Sequence, residues 1–144
     1  MIYRPGVKIW CPKLCNISDK AIIGRGTIIH AGVHIHDEVK IGEKCKIEAQ
    51  VFIPNGVTLE DDVFVGPQVC FTNDPKMDMK PDWKPTKTLV RKGAKIGAGA
   101  RIIAGVMIGE NSIIGMGAVV LKDVLAGETW VGNPARLIKA TQPK

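Results

Sequence analysis

A large apolar residue recurs at every sixth position through most of this chain, and no helix can honour that spacing. The first run comprises Ile17, Ile23, Ile29, Ile35, Ile41, Ile47, Ile53, Leu59, Val65 and Phe71. Four residues after each of the first nine stands a small or branched one: Ala21, Thr27, Val33, Val39, Cys45, Val51, Val57, Val63 and Val69. After a break the period resumes at Val90, Ile96, Ile102, Ile108, Ile114 and Val120, with Ala94, Ala100, Val106, Ser112, Ala118 and Val124 in the companion register. A period of six fits a short strand followed by a sharp turn, repeated. Glycines directly after the large residue, such as Gly24, Gly42 and Gly66, read as the permissive backbone of each corner. Three such units close an 18-residue coil whose strands pair in parallel with those of the next, about 4.8 Å away. The fold expected is all-β: a single parallel β-helix shaped as a three-sided prism.

The same count divides residues 1–144 of this single domain. Residues 1–16 keep the period loosely and carry Pro5 and Pro12, so they read as an N-terminal cap. Residues 17–71 are uninterrupted coils, and residues 72–89 are an extruded loop with Pro75, Pro81, Pro85 and Trp83. Coils return over 90–125, and 126–144 form a C-terminal cap and tail, in which Val131 arrives one residue early and Asn133–Arg136 make a turn. Within 17–71, positions one full coil apart lie above one another. Ile35, Ile53 and Phe71 then stack inside one side of the prism and His34, Phe52 and Cys70 outside it. An outward column so apolar reads as a subunit interface, the border of a binding site, or both.

The formal net charge of +6 and pI near 9.3 call for anionic partners. Lysines are interspersed with acids, and aromatics are only 5% of the residues, too few for a base-stacking platform. Small phosphorylated substrates are therefore expected, and nucleic acid and membrane surfaces are not. Cys11, Cys15, Cys45 and Cys70 match neither a zinc module nor a disulfide scaffold. No apolar run approaches the length a membrane-spanning helix needs and no signal-peptide core is visible, so a cytoplasmic location is expected.

Chemistry-bearing residues are few. The three histidines, His30, His34 and His36, alternate along one coil onto different edges or turns, which argues against a metal site. His34 heads the outward column and is a candidate general base; its plainer role is a hydrogen-bonding interface residue. Asn73 and Asp74 stand where the loop leaves the prism, a position for substrate contact or for starting a turn. Glu60, Asp61 and Asp62 fall at a corner and read as a solvated face. Trp83 and Trp130 suit either stacking on a base or pinning the loop and the cap.

This hexapeptide pattern resembles the left-handed parallel β-helix acyltransferases, and the left hand of the prism is taken from that resemblance. Residues Gly115–Val120, Lys122, Asp123 and Val131–Arg136 are similar to the superfamily's C-terminal signature. Val57–Gly66, followed by Phe71, Thr72, Asn73 and a proline-bearing loop, resembles the sugar-nucleotide 3-N-acetyltransferases, as does the histidine-bearing stretch Gly26–Ile35 with His34 in the matching place. Two subgroups fit, acting on UDP-linked 2-acetamido-3-amino-glucuronate or on dTDP-linked 3-amino-deoxyhexoses.

The resemblance implies a homotrimer that binds acetyl-CoA between neighbouring prisms along the C-terminal coils. The activity implied is transfer of acetyl to the amino group, at C3, of a nucleotide-linked amino sugar destined for surface glycans. Asn73 would accept a hydrogen bond from the amine, Asp74 would assist or take its proton, and His34 is the alternative base. Gly105, Gly117 and Ala118 would line the acetyl and pantetheine path, Lys122 and Arg136 would meet the CoA phosphates, and no metal is required. The chain departs from the family in its loop: Asn73-Asp74-Pro75-Lys76 lacks the arginine usual there. Lys76 or Lys80 would have to substitute, without the bidentate fork that grips a carboxylate. A 4-amino sugar, another small amine or hydroxyl acceptor, and a non-catalytic trimeric scaffold are the alternatives.

Overall fold

The structure, a computed structural model, describes residues 2–140. Among the described residues, twenty short strands wind into a prism with three faces. The first face stacks Ile2–Tyr3, Ile22–Ile23, Lys40–Ile41, Val57–Leu59, Thr88–Val90 and Met107–Ile108. The second stacks Lys8–Ile9, Ile28–Ile29, Lys46–Ile47, Phe64–Val65, Lys95–Ile96 and Ile113–Ile114, and ends in Glu128–Val131 and Arg136–Ala140. The third stacks Asn16–Ile17, His34–Ile35, Phe52–Ile53, Cys70–Phe71, Arg101–Ile102 and Val119–Val120. The counted register is present: Ile35 lies opposite Ile53, and His34, Phe52 and Cys70 follow one another on the outside of the third face.

Both inward registers are buried. Ile23, Ile29, Ile35, Ile47, Ile53, Leu59 and Phe71 are shielded almost completely, with Ala21, Val33, Val39 and Val51 filling the corners. Each large side chain contributes roughly 2 kcal/mol by leaving water. Two polar companions are satisfied internally. Thr27 Oγ1 donates to Gly42 O at 2.8 Å and accepts the Cys45 N–H at 3.1 Å, while Ser112 Oγ donates to Gly109 O at 2.7 Å.

The corners correct the sequence reading of the glycines. Positive φ falls two residues beyond the large residue's glycine, at Gly26, Lys44, Gln68, Gly99 and Gly117, and Gly24 and Gly42 are outside that region. Those two glycines are required by proximity instead. A Cβ on Gly24 would strike the carbonyl of Gly42, and one on Gly42 would strike Asp61.

The ends differ from the expected caps. Ile2–Tyr3 and Lys8–Ile9 already pair with the next coil, Ile2 opposite Ile22 and Lys8 opposite Ile28, and the step shortens where Asn16 meets His34. The extra length of this first coil is absorbed by a 3-10 turn at Pro12–Leu14 that follows Cys11 at φ 52°. The loop is inserted without disturbing the stack. Phe64 pairs with Lys46 on the near side and with Lys95 on the far side, and pairing resumes at Thr88. At the far end Lys95 lies opposite Ile113 but Ile113 lies opposite Thr129, because the last coil is shorter than those before it. Trp130 rather than Val131 therefore takes the place opposite Ile114, and the chain closes as an antiparallel hairpin.

Gly42→Ala should destabilise the prism by roughly 3 kcal/mol, against about 1 kcal/mol for Gly117→Ala, where a Cβ meets nothing and only the positive φ is strained. Urea unfolding measures both, and equal losses would contradict the close-approach account. Burial pushes the Cys45 thiol up to about 11. Because the unfolded thiol ionises first, this residue's contribution is intact below about pH 9 and declines towards pH 11. A Cys45→Ala chain should lose less stability across that window than the parent does.

Candidate active site

The loop leaves the prism between its third and first faces, and hydrogen bonds fix both stems. Thr72 Oγ1 donates to Ile102 O and accepts the Ala104 N–H, each at 3.0 Å. Thr86 N–H donates to Asn73 O at 2.8 Å, Thr88 N–H donates to Gly56 O at 3.0 Å, and Thr88 Oγ1 accepts the Gly105 N–H at 3.1 Å. These clamps hold half-buried Asn73 directly above Asn55, one coil away. The Asn73 Nδ2 donates to Asn55 Oδ1 at 2.6 Å and to Asn55 O at 3.1 Å.

Below Asn73, on the same corner, Asn55 lines a hollow of about 430 Å³ together with Asn16, Ser18, Ile35, His36 and Asp37. His36 packs edge-to-face on Phe52 with ring centroids 5.0 Å apart. Asp37 accepts hydrogen bonds from Ser18 Oγ and Lys20 Nζ, which hold its carboxyl below the usual range. Counting selects Asn73 but passes over Asn55, although the two stand one coil apart in the same column. It likewise favours His34, whereas the histidine lining this hollow is His36. His34 stands exposed on the third face between Asn16 and Phe52.

Asp74 is a turn-former in this geometry. Its carboxylate accepts the N–H groups of Lys76 at 3.1 Å and Asp78 at 2.5 Å, and Asp78 in turn accepts that of Lys80 at 3.0 Å. The loop beyond carries Met77 and Met79 at 84% and 97% exposure, so no described part of this chain covers its tip. Trp83 is half-buried and lines a second hollow beneath the loop with Asp74, Lys76 and Lys80.

The five CoA candidates divide between two edges. Gly105 and Lys122 lie on the loop-bearing edge, whereas Gly117 and Ala118 form a turn on the opposite side of the third face, with Arg136 opening the final strand. The N–H groups of Gly105, Gly117 and Ala118 already donate within the prism, to Thr88 Oγ1, Ala98 O and Gly115 O. Lys122 and Arg136 are exposed cations.

Other singled-out groups brace the prism. Arg91 Nε lies 2.9 to 3.0 Å from the two oxygens of Glu60, and Asp61 Oδ1 accepts the Glu43 N–H at 2.7 Å. Trp130 Nε1 donates to Glu128 Oε2 at 2.9 Å, pinning the final hairpin. Among the described residues no three His, Cys, Asp or Glu side chains converge as a metal set, and no helix is long and apolar enough to cross a membrane.

The profile of the bacterial transferase hexapeptide family, with six repeats, matches residues 20–55 and 87–122. The chain belongs to this family. Its hexapeptide coils make the prism a left-handed parallel β-helix. Among curated relatives, a serine acetyltransferase of Buchnera aphidicola subsp. Acyrthosiphon pisum is 34% identical over 114 residues, covering 78% of this chain and 40% of that protein. A dTDP-3-amino-3,6-dideoxy-alpha-D-galactopyranose 3-N-acetyltransferase of Aneurinibacillus thermoaerophilus is 47% identical over 51 residues, covering 35% of this chain and 27% of that one. The chain thus spans less than half the length of the curated relatives it matches. A mutant perosamine N-acetyltransferase from Caulobacter crescentus, solved in complex with CoA and GDP-perosamine, superposes with a TM-score of 0.79 at 26% identity. The match covers 93% of this chain and 58% of that one.

Because the Asp74 carboxylate holds the first turn of the loop, Asp74→Ala should leave the far-ultraviolet circular dichroism of this hexapeptide prism unchanged. It should speed tryptic cleavage at Lys76 by about tenfold. Unaltered cleavage would show that the turn stands without it.

Proposed function

We propose that this chain transfers acetyl from acetyl-CoA to the amino group, at C3, of a nucleotide-linked amino sugar. The observation that carries the reading is Asn73, fixed at the base of the extruded loop and hydrogen-bonded to Asn55, which lines a polar hollow. The 3-N-acetyltransferase relative and the Caulobacter crescentus complex support the acceptor class and the acetyl donor. In the step envisaged, the Asn73 amide orients the neutral amine toward the thioester carbonyl. The new C–N bond forms as the carbonyl oxygen takes negative charge, the C–S bond then breaks, and the thiol leaves with the proton lost by nitrogen. A thioester is already activated, so orientation supplies most of what the protein must add.

A homotrimer suits this reading. The outward column of the third face, which runs His34, Phe52, Cys70, Arg101 and Val119, would pack against a neighbouring prism. Such packing would bring the loop edge of one copy, with Gly105 and Lys122, beside the Gly117, Ala118 and Arg136 edge of the next. Acetyl-CoA would lie in the groove between them, its phosphates on Lys122 and Arg136. The two edges are separated by a whole face within one chain, which supports a site completed by two copies. Asp74, already engaged by two loop N–H groups, would take the amine's proton only through its remaining lone pairs. His34 is the alternative base.

One observation favours a second reading. The serine acetyltransferase relative aligns over far more of this chain than the sugar-nucleotide enzyme does, which points to a small hydroxyl acceptor.

Thiol release from acetyl-CoA, measured with UDP- and dTDP-linked 3-amino and 4-amino sugars and with serine, distinguishes these readings. Turnover confined to a 3-amino sugar nucleotide is the expected outcome. Turnover confined to serine supports the second reading, and absence of both turnover and acetyl-CoA binding leaves the prism a scaffold. Asn73→Ala should lower kcat by a factor of roughly 10 to 1,000 with acetyl-CoA affinity nearly unchanged. His34→Asn should have the smaller effect if His34 is an interface residue, and the larger if it is the base.

A further inference from the structure

The side-chain amide of Asn73 has one donor end and one acceptor end, and only the acceptor end can receive a hydrogen bond from an incoming amine or hydroxyl. Which end faces the substrate is decided by what the other end touches. Here the Nδ2 has two acceptors in reach, Asn55 Oδ1 at 2.6 Å and Asn55 O at 3.1 Å. A flipped Asn73 would place its own oxygen against both of them, losing two hydrogen bonds and setting oxygen against oxygen. The backbone carbonyl has no donor state, so at least one of those contacts would be repulsive in either orientation of Asn55.

The backbone allows little escape from that choice. Asn73 is tied through its own carbonyl to Thr86 N–H at 2.8 Å, and the preceding residue is tied to Ile102 by both its N–H and its Oγ1. Asn55 belongs to an uninterrupted coil, with Phe52–Ile53 just before it and Val57–Leu59 just after. A rigid coil and the clamped stem of the loop therefore present the two asparagines to each other, one directly above the other.

Building on the proposed acetyl transfer, we infer that Asn55 is a positioning residue: it holds the Asn73 amide with Oδ1 turned away, as the acceptor that receives the substrate's attacking group. With its Oδ1 occupied by Asn73, Asn55 keeps its own Nδ2 as a donor on the hollow shared with His36 and Asp37. The pair then offers an acceptor and a donor side by side. That arrangement matches an attacking amine or hydroxyl whose neighbouring carbon carries an oxygen or carbonyl acceptor. It is a poor match for an isolated alkyl amine, which has nothing to receive the second hydrogen bond.

The test uses the full chain in the thiol-release assay, with the acceptor that the wild-type protein turns over. Asn55→Ala removes the shorter of the two contacts and should lower kcat about 10- to 100-fold while changing acetyl-CoA affinity and melting temperature little. Asn55→Asp keeps both acceptors for the Asn73 amide but loses the Nδ2 donor, so it should recover kcat to within about threefold of wild type while raising the acceptor's KM about tenfold. A general structural role would not be rescued in kcat by the carboxylate. Unchanged kcat in Asn55→Ala, or equal losses in Asn55→Ala and Asn55→Asp, would overturn the inference.

A second readout separates failure of this inference from failure of the functional reading. Hydrogen exchange of the Asn73 side-chain amide protons, followed by nuclear magnetic resonance, needs no substrate. Protection in the wild type that falls in Asn55→Ala, where only the backbone contact remains, supports the orientation, and absence of protection in the wild type overturns it. If no acceptor is turned over while the protected amide is observed, the acetyl-transfer reading falls and the positioning role with it, but the geometry stands.

Discussion

Coil-to-coil hydrogen bonding is the constraint on which the rest of the molecule depends. Gly24 N–H reaches Ile41 O at 2.8 Å, and Gly42 N–H reaches Leu59 O at 2.8 Å. Each coil bonds only to its neighbours, so a residue's height and edge follow from its count along the chain. Columns of like residues arise from that rule. It stacks Ile35 on Ile53 in the core and places Asn73 above Asn55 at the surface. It also forces two consecutive corners into such proximity that Gly24 and Gly42 can carry no Cβ.

Counting alone recovers this architecture wherever the period is unbroken. The inward residues from Ile23 to Phe71 are legible because burial repeats with the period itself. The ends are less legible, since a coil can gain or lose a little length without losing its strand pairs. The turn at Pro12–Leu14 and the short final coil ending at Trp130 do so. The corner glycines show how a correct pattern can carry a mistaken cause. Their regular spacing within the repeat suggests positive φ, but the strained dihedrals lie two residues on and the glycines answer to close approach.

The candidate site is only half legible in the sequence. Asn73 and Asp74 stand out as residues at a broken period, yet nothing local announces that Asp74 is engaged by the Lys76 and Asp78 N–H groups. Asn55 sits inside a regular coil, and its importance appears only when the loop returns over it. His36 differs from His34 by two residues, enough to move from the open face to the edge of the hollow. A rigid prism therefore supplies fixed edges, and the insertion between Phe71 and Thr88 supplies the variable chemistry. This division suits acyl transfer from a thioester, where placement of the nucleophile matters more than a strong base.

In the proposed function the loop-bearing corner receives the acceptor while the C-terminal edges receive acetyl-CoA. Amide hydrogen–deuterium exchange across the whole chain tests that division most directly, first with CoA alone and then with CoA and the acceptor. CoA is expected to slow exchange around residues 103–106 and 115–122, and the acceptor to add protection at 36–37, 55 and 72–74. Protection by the acceptor on the second face, with the loop corner unchanged, would contradict it.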